Sequence, residues 1–404
     1  MSIGFVLDEK MSICHNYCAI IKHFYERGIM AVTPEIRIAN RNTIYMHLYN
    51  NRQSSKPGLS HELSLSLPTV AVNLNDLLED GLIRIGGVFE SNGGRKPKVY
   101  QCIPDARVAI GVETFLDHIY LCLLNLYGET LSERFLREPY KNAPTYYEKI
   151  GHIIKDFAEE SGYEQDRILG VGIATQGVVS PDHTCVVYGR ILGNEGLTVD
   201  AFSQYFSYPC ILLHDSEAAA FAESFYKRFS RDACYILLNH NLGSGLIMNQ
   251  TVYGGNHSRG QLLEHMRLVP GGRKCYCGKM GCAECYCSAG SLEENSGLPL
   301  DVFFEKLREG DSVLATLWED YLSSLSHLLY NTLMTIDVDV VLGGLVSLYM
   351  KQEDLETLWN KVNNLSDFAI TERSVSLHNG GRYISARGAA LYYIRQFLAD
   401  FYPR

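Results

Sequence analysis

The 404-residue sequence has no apolar run approaching the eighteen residues or so that a membrane-spanning helix requires. Its first ten residues also lack the charged segment followed by an apolar core that marks a signal peptide. These two absences argue against a membrane protein or an exported one. The twelve cysteines are therefore interpreted as reduced thiols. We expect a cytoplasmic protein that has no membrane partner.

An excess of basic residues is also missing, because 36 Lys and Arg stand against 46 Asp and Glu. This balance excludes a protein that binds nucleic acid over its whole surface. The acidic excess is uneven, since residues 1–105 carry 11 basic and 10 acidic side chains, whereas the remainder carries 25 and 36. Contact with DNA through residues 1–105 alone is compatible with this distribution. The length predicts two to four domains with globular composition.

Cysteine is concentrated in residues 265–287, HMRLVPGGRKCYCGKMGCAECYC. Thiolates and one imidazole, brought together by glycine turns, are the ligands that a tetrahedral zinc ion prefers. The alternatives are ordinary buried cysteines or a disulfide framework, and a reducing compartment disfavours the latter. We expect one structural zinc ion per chain, and the spacing alone leaves six candidate ligands: His265, Cys275, Cys277, Cys282, Cys285 and Cys287.

Residues 1–40 are predicted to form a helical extension. Cys14–Arg27 has apolar residues at helical spacing and ends before a glycine. Cys14, His15 and Cys18 are more readily explained by packing than by metal binding, because no second cysteine pair completes a site.

Residues 41–105 are predicted to form a winged helix-turn-helix. A first helix begins near Arg41, a short second one lies at Leu59–Leu63, and Ser66 can cap a third that starts at Pro68. Two strands and a loop rich in glycine and cations follow, which suits contact with phosphates or the minor groove. The alternative is a protein-interaction module with a solvated hairpin. The residues predicted to contact DNA are Pro68, Thr69, Asn73, Gly93, Gly94, Arg95 and Lys96.

Residues 106–404 alternate between apolar strands and amphipathic helices, which predicts an α/β body in two lobes. We expect lobe one to comprise about 106–214 together with the C-terminal helix. Lobe two is then expected at about 215–383.

From about residue 40 onward the chain resembles the repressor, open-reading-frame and kinase (ROK) family, in its repressor branch. The similarity rests on the wing, GLIRIGG followed by SNGGRKP, and on the cysteine-rich stretch. In that stretch a histidine is followed ten positions later by Cys-x-Cys-Gly and then by Gly-Cys-x-Glu. The resemblance implies an actin-like, ribonuclease H-like sugar-kinase fold with a sugar between the lobes. It also implies four zinc ligands, which are His265, Cys275, Cys277 and Cys282.

Kinase chemistry is expected to be lost. The first phosphate loop of the family has an aspartate followed by Gly-Gly-Thr, whereas residues 113–117 read ETFLD. Bulky side chains there would keep a phosphate away from the backbone. The second loop, normally Gly-Thr-Gly, reads Asn239-His240-Asn241. Two damaged phosphate elements predict that the protein is not an enzyme.

The sequence keeps some of the family's sugar-binding residues and lacks others. Asp215 stands where the family has its catalytic aspartate, so here it is a vestigial base that can accept sugar hydroxyls or cap a helix. The resemblance implies further contacts from His214, His265 and Glu284. Asn194 is a weaker candidate, with Gly177 and Glu195, because these residues fall on loops. The glutamate of the family's Glu-x-Gly-His motif is Leu262 here, and we expect Glu264 to point elsewhere.

The sequence therefore predicts a sugar-responsive transcriptional regulator that binds operator DNA through its winged helix. We expect this regulator to be a repressor. The resemblance implies a dimer or tetramer, and a palindromic operator requires at least two DNA-binding heads. One alternative is an ATP-dependent sugar kinase that retains an N-terminal domain. Another is a degenerate body that serves only oligomer assembly, an idea that Leu262 supports because it removes an acceptor from the sugar site.

Overall fold

The computed structural model describes residues 34–88, 97–227, 231–256, 262–367, 375–378 and 380–402. The chain forms two compact units. The first comprises residues up to Ile103 together with Ala399–Arg404, and the second comprises Pro104–Leu398. Within the described residues, no helix is both long and apolar enough to cross a membrane. The predicted helix Cys14–Arg27 lies outside the described residues.

The first unit contains three helices and a small antiparallel sheet. The helices are α1 (Pro34–Asn51), α2 (Lys56–Glu62) and α3 (Leu67–Glu79), and the strands are β1 (Gln53–Ser55), β2 (Ile83–Val88) and β3 (Lys98–Cys102). The strand order is β1-β3-β2. Ser66 caps α3 by accepting a hydrogen bond from the Thr69 amide at 3.2 Å.

Two expected boundaries in this unit are wrong. Residue 40 falls inside α1, because Pro34 begins that helix, where a proline needs no backbone donor. The last residues of the chain belong to the first unit and not to the kinase-like body. There the Phe401 ring lies 4.3 Å from the Tyr45 ring, and Asn42 Nδ2 donates to the Asp400 carbonyl at 2.8 Å.

The second unit is built on two five-stranded sheets, which confirms the α/β prediction. The first sheet contains β4 (Val108–Thr114), β5 (Ile119–Asn125), β6 (Thr130–Leu136), β7 (Ile168–Thr175) and β10 (Cys210–His214) in the order β10-β7-β4-β5-β6. A separate pair of strands, β8 (Val178–Val179) and β9 (Val186–Tyr188), lies between β7 and β10 in the sequence. Helix α4 (Pro144–Glu160) packs Ile150, Ile154 and Phe157 into the core of this sheet, and α5 spans Asp200–Ser203.

The second sheet has the order β13-β12-β11-β14-β15. Its strands are β11 (Ala233–Leu238), β12 (Leu242–Met248), β13 (Thr251–Val252), β14 (Asp339–Gly343) and β15 (Val375–Leu377). The helices of this lobe are α7 (Glu284–Cys287), α8 (Ala289–Ser296), α9 (Leu300–Glu309), α10 (Ser312–Thr335) and α11 (Gln352–Leu365). Buried side chains of β11, β14 and α10 form one continuous apolar core.

One helix connects the sheets, and the last helix of the chain packs against it. Helix α6 (Asp215–Lys227) directly follows β10 of the first sheet and leads to β11 of the second, and α12 (Ile384–Ala399) follows β15. The two helices touch at Gly388, where a Cβ atom would lie 1.7 Å from the Ala218 carbonyl oxygen. A larger residue there would force the helices apart. Because α6 starts at Asp215, the connection between the sheets begins at the candidate sugar site.

Candidate functional site

Four side chains of the cysteine-rich stretch converge. His265, Cys275, Cys277 and Cys282 each offer one ligand atom, and these atoms all lie within 4.8 Å of one another. Tight turns bring them together: the Gly278 amide donates to the Cys275 carbonyl at 2.9 Å, and Gly281 has a positive φ of 81°. A Cβ at Gly281 would lie 1.7 Å from the Val269 carbonyl oxygen. Only glycine fits this turn.

The geometry of the four side chains suits a tetrahedral metal ion. Cys277 Sγ and Cys282 Sγ are 3.8 Å apart, as are Cys275 Sγ and His265 Nδ1. Thiolates bound to zinc at about 2.3 Å in a tetrahedron would be separated by about 3.8 Å. The fifth and sixth candidates lie outside this set, Cys285 half-buried and Cys287 fully buried on α7. The chain could therefore hold one metal ion with the four ligands that the family pattern implies.

The two ring nitrogens of His265 face different partners. Nδ1 points towards the thiols, whereas Nε2 lies 3.4 Å from the Tyr276 hydroxyl. Burial lowers the pKa of His265, which favours the neutral imidazole that a metal ligand requires. The ring also lines a small cavity beside the candidate metal site. His265 thus joins the metal ligands to this cavity.

That cavity, called here the inner cavity, lies between loops of the two lobes. Its volume is about 30 Å³, which is room for one water molecule, whereas pockets for small organic ligands are roughly ten times larger. A sugar can enter only if the lining side chains or the lobes move apart. It is lined by Gln176, Gly177, Val178, Tyr188, Arg190, Ile191, His214, Leu262, Glu264, His265 and Tyr276.

Of the sugar contacts expected from the sequence, His214 and His265 line the inner cavity. Asp215 is buried at the first turn of α6, where the Ser216 amide donates to Oδ1 at 2.8 Å and His214 Nε2 lies 3.2 Å away. Burial raises the pKa of Asp215, and His214 partly offsets this effect. One carboxylate oxygen of Asp215 is therefore held by the backbone of the first turn of α6 and by His214.

Asn194 and Glu284 do not line the inner cavity. Asn194 is fully buried, and its amide donates to Thr175 Oγ1 at 3.2 Å, which supports the loop after β7. Glu284 accepts from Asn241 Nδ2 at 2.8 Å and from the Leu242 amide at 2.7 Å. Burial raises the pKa of Glu284 to about 7, although these donors oppose the shift.

The expectation that Glu264 points away from the site is wrong. Its side chain lines the inner cavity beside Leu262, is 3% exposed, and has an Oε2 atom without a hydrogen-bond partner among the described residues. Burial raises the pKa of Glu264 well above its usual range, and nearby carboxylates of Glu284 and Asp215 add to this. The carboxylate missing at Leu262 is thus replaced by one two positions later.

A further cavity residue, Gln176, was not among the site residues predicted from the sequence. It follows β7 directly, at the carboxyl end of a parallel strand, which is where ligand contacts in α/β proteins concentrate. Its side chain lines the inner cavity and is 4% exposed. Nε2 donates to Asn241 Oδ1 at 3.0 Å, whereas Oε1 has no partner among the described residues. Gln176 therefore links lobe one to the second phosphate loop.

The region of the first phosphate loop is filled by side chains. β4 ends at Thr114, and the Phe115 ring stacks on His118 with 5.4 Å between centroids. Glu113 is buried, and its Oε1 lies 3.5 Å from His118 Nε2. In the second loop, Asn239 Oδ1 accepts from the Leu345 amide at 2.9 Å. Both loops therefore carry side chains at positions where the family pattern has glycines.

A second depression, the outer cavity, opens beside the metal ligands and has a volume of about 860 Å³. It shares Tyr276 with the inner cavity and contains Glu284. Its lining is strongly polar and carries both signs of charge: His240, Asn241, Arg273, Lys274, Tyr276, Glu284, Cys285, Ser288, Gly290, Ser291, Glu293, Glu294 and Asn295.

The candidate DNA-contact residues lie in the first unit. Pro68 is exposed, and Thr69 is half-buried with its hydroxyl 2.8 Å from Ser66 Oγ. The expectation that Asn73 faces outward is wrong, because it is 2% exposed and its Nδ2 donates to the Thr69 carbonyl at 2.8 Å. Val72 and Asn75 occupy the outer face of α3 instead. Gly93, Gly94, Arg95 and Lys96 lie outside the described residues.

The chain is similar in sequence to a known protein family. The family model described as ROK family matches residues 109–395. A xylose repressor of Caldicellulosiruptor bescii is 23% identical over 288 residues, which are 70% of each chain.

Two solved structures are similar in fold. One is a ROK family transcriptional regulator described as a homologue of the Escherichia coli MLC protein, with a TM-score of 0.71, 17% identity, and coverage of 91% of this chain and 97% of that one. The other is a ROK family glucokinase from Streptomyces griseus in complex with glucose and AMPPNP, with a TM-score of 0.61, 22% identity, and coverage of 70% and 98%.

Proposed function

Because this chain belongs to the ROK family, we propose that it is a cytoplasmic, sugar-responsive transcriptional regulator without kinase activity. The observation that carries this proposal is the combination of two features in one chain. A helix-turn-helix with wing strands, α1 to β3, precedes a sugar-kinase-like body. In that body, bulky side chains occupy both phosphate loops.

The proposed DNA-reading surface is the outer face of α3 together with the wing tip. Val72 and Asn75 are exposed there, and Pro68 and Thr69 lie at the start of the helix. Asparagine can pair with adenine, and an apolar side chain can contact the thymine methyl group. Arg95 and Lys96 at the wing, with Gly93 and Gly94, would meet phosphates or the minor groove. A homodimer or tetramer would place two such heads on a palindromic operator.

These roles predict different effects on DNA binding. Asn75→Ala should weaken binding to the operator by about tenfold and relax preference at one base position. Arg95→Ala combined with Lys96→Ala should weaken binding to all duplexes and reduce the salt dependence. Fluorescence anisotropy with an operator selected from random duplexes measures both effects, and Glu148→Gln, an exposed change on α4, is the control. Unchanged binding by the double variant would reject the wing assignment.

The metal is proposed to be zinc, held by His265, Cys275, Cys277 and Cys282. A closed set of four protein ligands has no open position for substrate, so the ion would stabilise the loop and perform no chemistry. His265 would bind it through Nδ1, which leaves Nε2 beside Tyr276 at the inner cavity. The metal site would thus fix one wall of the sugar site.

Absence of phosphoryl transfer follows from the loops. A kinase of this fold needs backbone amides exposed to the phosphates and a carboxylate at the sugar hydroxyl. The stacked rings of Phe115 and His118 lie in the first phosphate loop, and Asp215 accepts a hydrogen bond from a backbone amide. A coupled ATP assay with a panel of hexoses should show no turnover. Turnover that disappears in Asp215→Ala would identify a kinase instead.

Regulation would follow from movement of the lobes. The inner cavity is too small for a sugar as it stands, so binding must change the separation between the loops after β7 and before α7. Helix α6 connects the sheets and contacts α12, and the chain continues from α12 into residues 399–402, which belong to the first unit. A ligand that binds one lobe arrangement better than another shifts the population towards it.

A further inference from the structure

Two residues that line the inner cavity each have a buried acceptor atom without a partner. Among the described residues, Gln176 Oε1 and Glu264 Oε2 are buried and have no hydrogen-bond partner. Buried polar atoms in folded proteins nearly always have partners, and an exception calls for a reason. Both residues line the same cavity, one from each lobe. A bound molecule that donates hydrogen bonds would satisfy both.

The orientation of the Gln176 amide is fixed by a chain of contacts. Both oxygens of Glu284 accept hydrogen bonds, from Asn241 Nδ2 and from the Leu242 amide. Asn241 Oδ1 therefore faces Gln176, and it accepts from Gln176 Nε2 at 3.0 Å. The other amide atom, Oε1, is therefore an acceptor, and it has no partner among the described residues. Gln176 thus presents an acceptor to the ligand.

The lining of the inner cavity offers no buried Lys or Arg to an anion. Glu264 is in the lining, and the carboxyl groups of Asp215 and Glu284 lie close enough to interact with it. Arg190 is the one Lys or Arg side chain in the described lining, and it is exposed at the rim. A phosphate or carboxylate would have to be buried beside Glu264 without a buried cation.

From these contacts we propose that Gln176 and Glu264 are the specificity-determining pair of the site, and that they select an uncharged sugar over its phosphorylated or acidic form. The inference rests on the proposed sugar-binding function. Two hydroxyl groups of the sugar donate to Gln176 Oε1 and Glu264 Oε2, and Leu262 contacts an apolar edge of the ring. A sugar bonded to both residues joins the lobes.

Matched pairs of sugars test the charge preference. Isothermal titration calorimetry of the zinc-loaded full chain would use D-xylose with D-xylonate, D-glucose with D-glucose 6-phosphate, and N-acetyl-D-glucosamine with its 6-phosphate. We expect at least one uncharged sugar to bind ten times more tightly than its anion. Tighter binding of an anion in the pair that binds overturns the inference and leaves the sugar-binding function intact. If no sugar binds, the sugar-binding function fails and the inference fails with it.

Isosteric variants test the residues. Glu264→Gln and Gln176→Leu should each weaken binding of the sugar found above at least tenfold. Glu294→Gln, on the exposed wall of the outer cavity, is the control and should leave sugar affinity unchanged. Wild-type affinity in both inner-cavity variants would show that this pair does not recognise the ligand.

Discussion

Replacement of Glu113 by glutamine should make the second unit more stable in alkaline solution. Glu113 lies on β4, is 2% exposed, and has an Oε2 atom without a partner among the described residues. Burial raises its pKa to about 7 from 4.5, and the Asp215 carboxylate raises it further, although His118 opposes the shift. The folded protein therefore binds a proton that the unfolded chain has already released at neutral pH.

The sign and size of the effect follow from this difference. A carboxyl group with a raised pKa in the folded state stabilises the fold below pH 4.5, and this contribution is lost as the pH rises through 7. A shift of this size corresponds to about 3 kcal/mol at pH 8.5. Glutamine stays neutral, so the stability of Glu113→Gln relative to wild type should rise by about 3 kcal/mol between pH 4.5 and 8.5. In a unit of this size that is about 5 °C in melting temperature.

Melting curves at pH 4.5, 6.5 and 8.5 measure this difference. Burial lowers the pKa of His118, but contacts with Glu113 and Asp117 raise it by more, so this pKa lies above its usual value. The comparison is therefore repeated in a His118→Asn background, where the effect of Glu113 should persist. Glu148→Gln on α4 is exposed and should show no pH-dependent difference. If the wild type and Glu113→Gln differ by the same amount at all three pH values, the raised pKa is wrong.

Three further changes have defined outcomes. Cys277→Ser should lose bound zinc and Cys287→Ser should retain it, because Cys277 belongs to the four converging residues and Cys287 does not. Elemental analysis after dialysis measures the zinc content. Asp354→Ala should cost about 3 kcal/mol in urea denaturation, since its buried carboxylate accepts from Trp318 Nε1 at 2.9 Å. Phe401→Ala should destabilise the first unit by about 3 kcal/mol, because its buried ring packs on α1.

Each change has its own control and its own contradicting result. Full zinc content in Cys277→Ser would reject the ligand set. For Asp354, the exposed Glu356→Ala on the same helix should cost less than about 0.5 kcal/mol. If both variants cost the same, the buried network does not stabilise α11. For Phe401, the neighbouring Tyr402 is half exposed, and an equal loss in Tyr402→Ala would show that ring burial is not the cause.

Much of the fold could be predicted from the periodicity of apolar residues and from residues that begin helices or form turns. The apolar runs of β4, β7 and β11 are buried on both faces, as continuous apolar strands in α/β proteins are. Ser66 and Pro68 marked the start of α3 to within one residue. The cysteine-rich stretch was identifiable because a loop this rich in glycine keeps its candidate ligands close in sequence, but spacing alone left six candidates and the family resemblance selected four. Local chemistry is sufficient for such elements.

The error at Asn73 was avoidable. Val70 lies three positions before it and Leu77 four positions after it, and both spacings place a residue on the same helical face. Its polar side chain suggested an exposed position, but the amide bonds to the backbone of its own helix and can be buried. Periodicity was the better guide than residue type.

Other features could not be derived from the sequence. Glu264 belongs to a short 3₁₀ turn, Leu263–His265, and the direction of a side chain on such a turn depends on tertiary packing. The contact of Gln176 with Asn241 joins residues 65 positions apart. Residues 399–402 meet α1 across most of the chain length, and no local pattern marks that contact. These are the features that connect lobes or chain ends.

The central claim is that sugar binding in the body changes DNA binding by the winged helix. The most direct test is fluorescence anisotropy of a labelled operator with the zinc-loaded full chain, with and without saturating amounts of the sugar found by calorimetry. We expect the apparent Kd to change at least tenfold with sugar in the wild type, and to change less in Glu264→Gln at a sugar concentration that saturates the wild type but not the variant. An apparent Kd that is the same with and without bound sugar would contradict the claim.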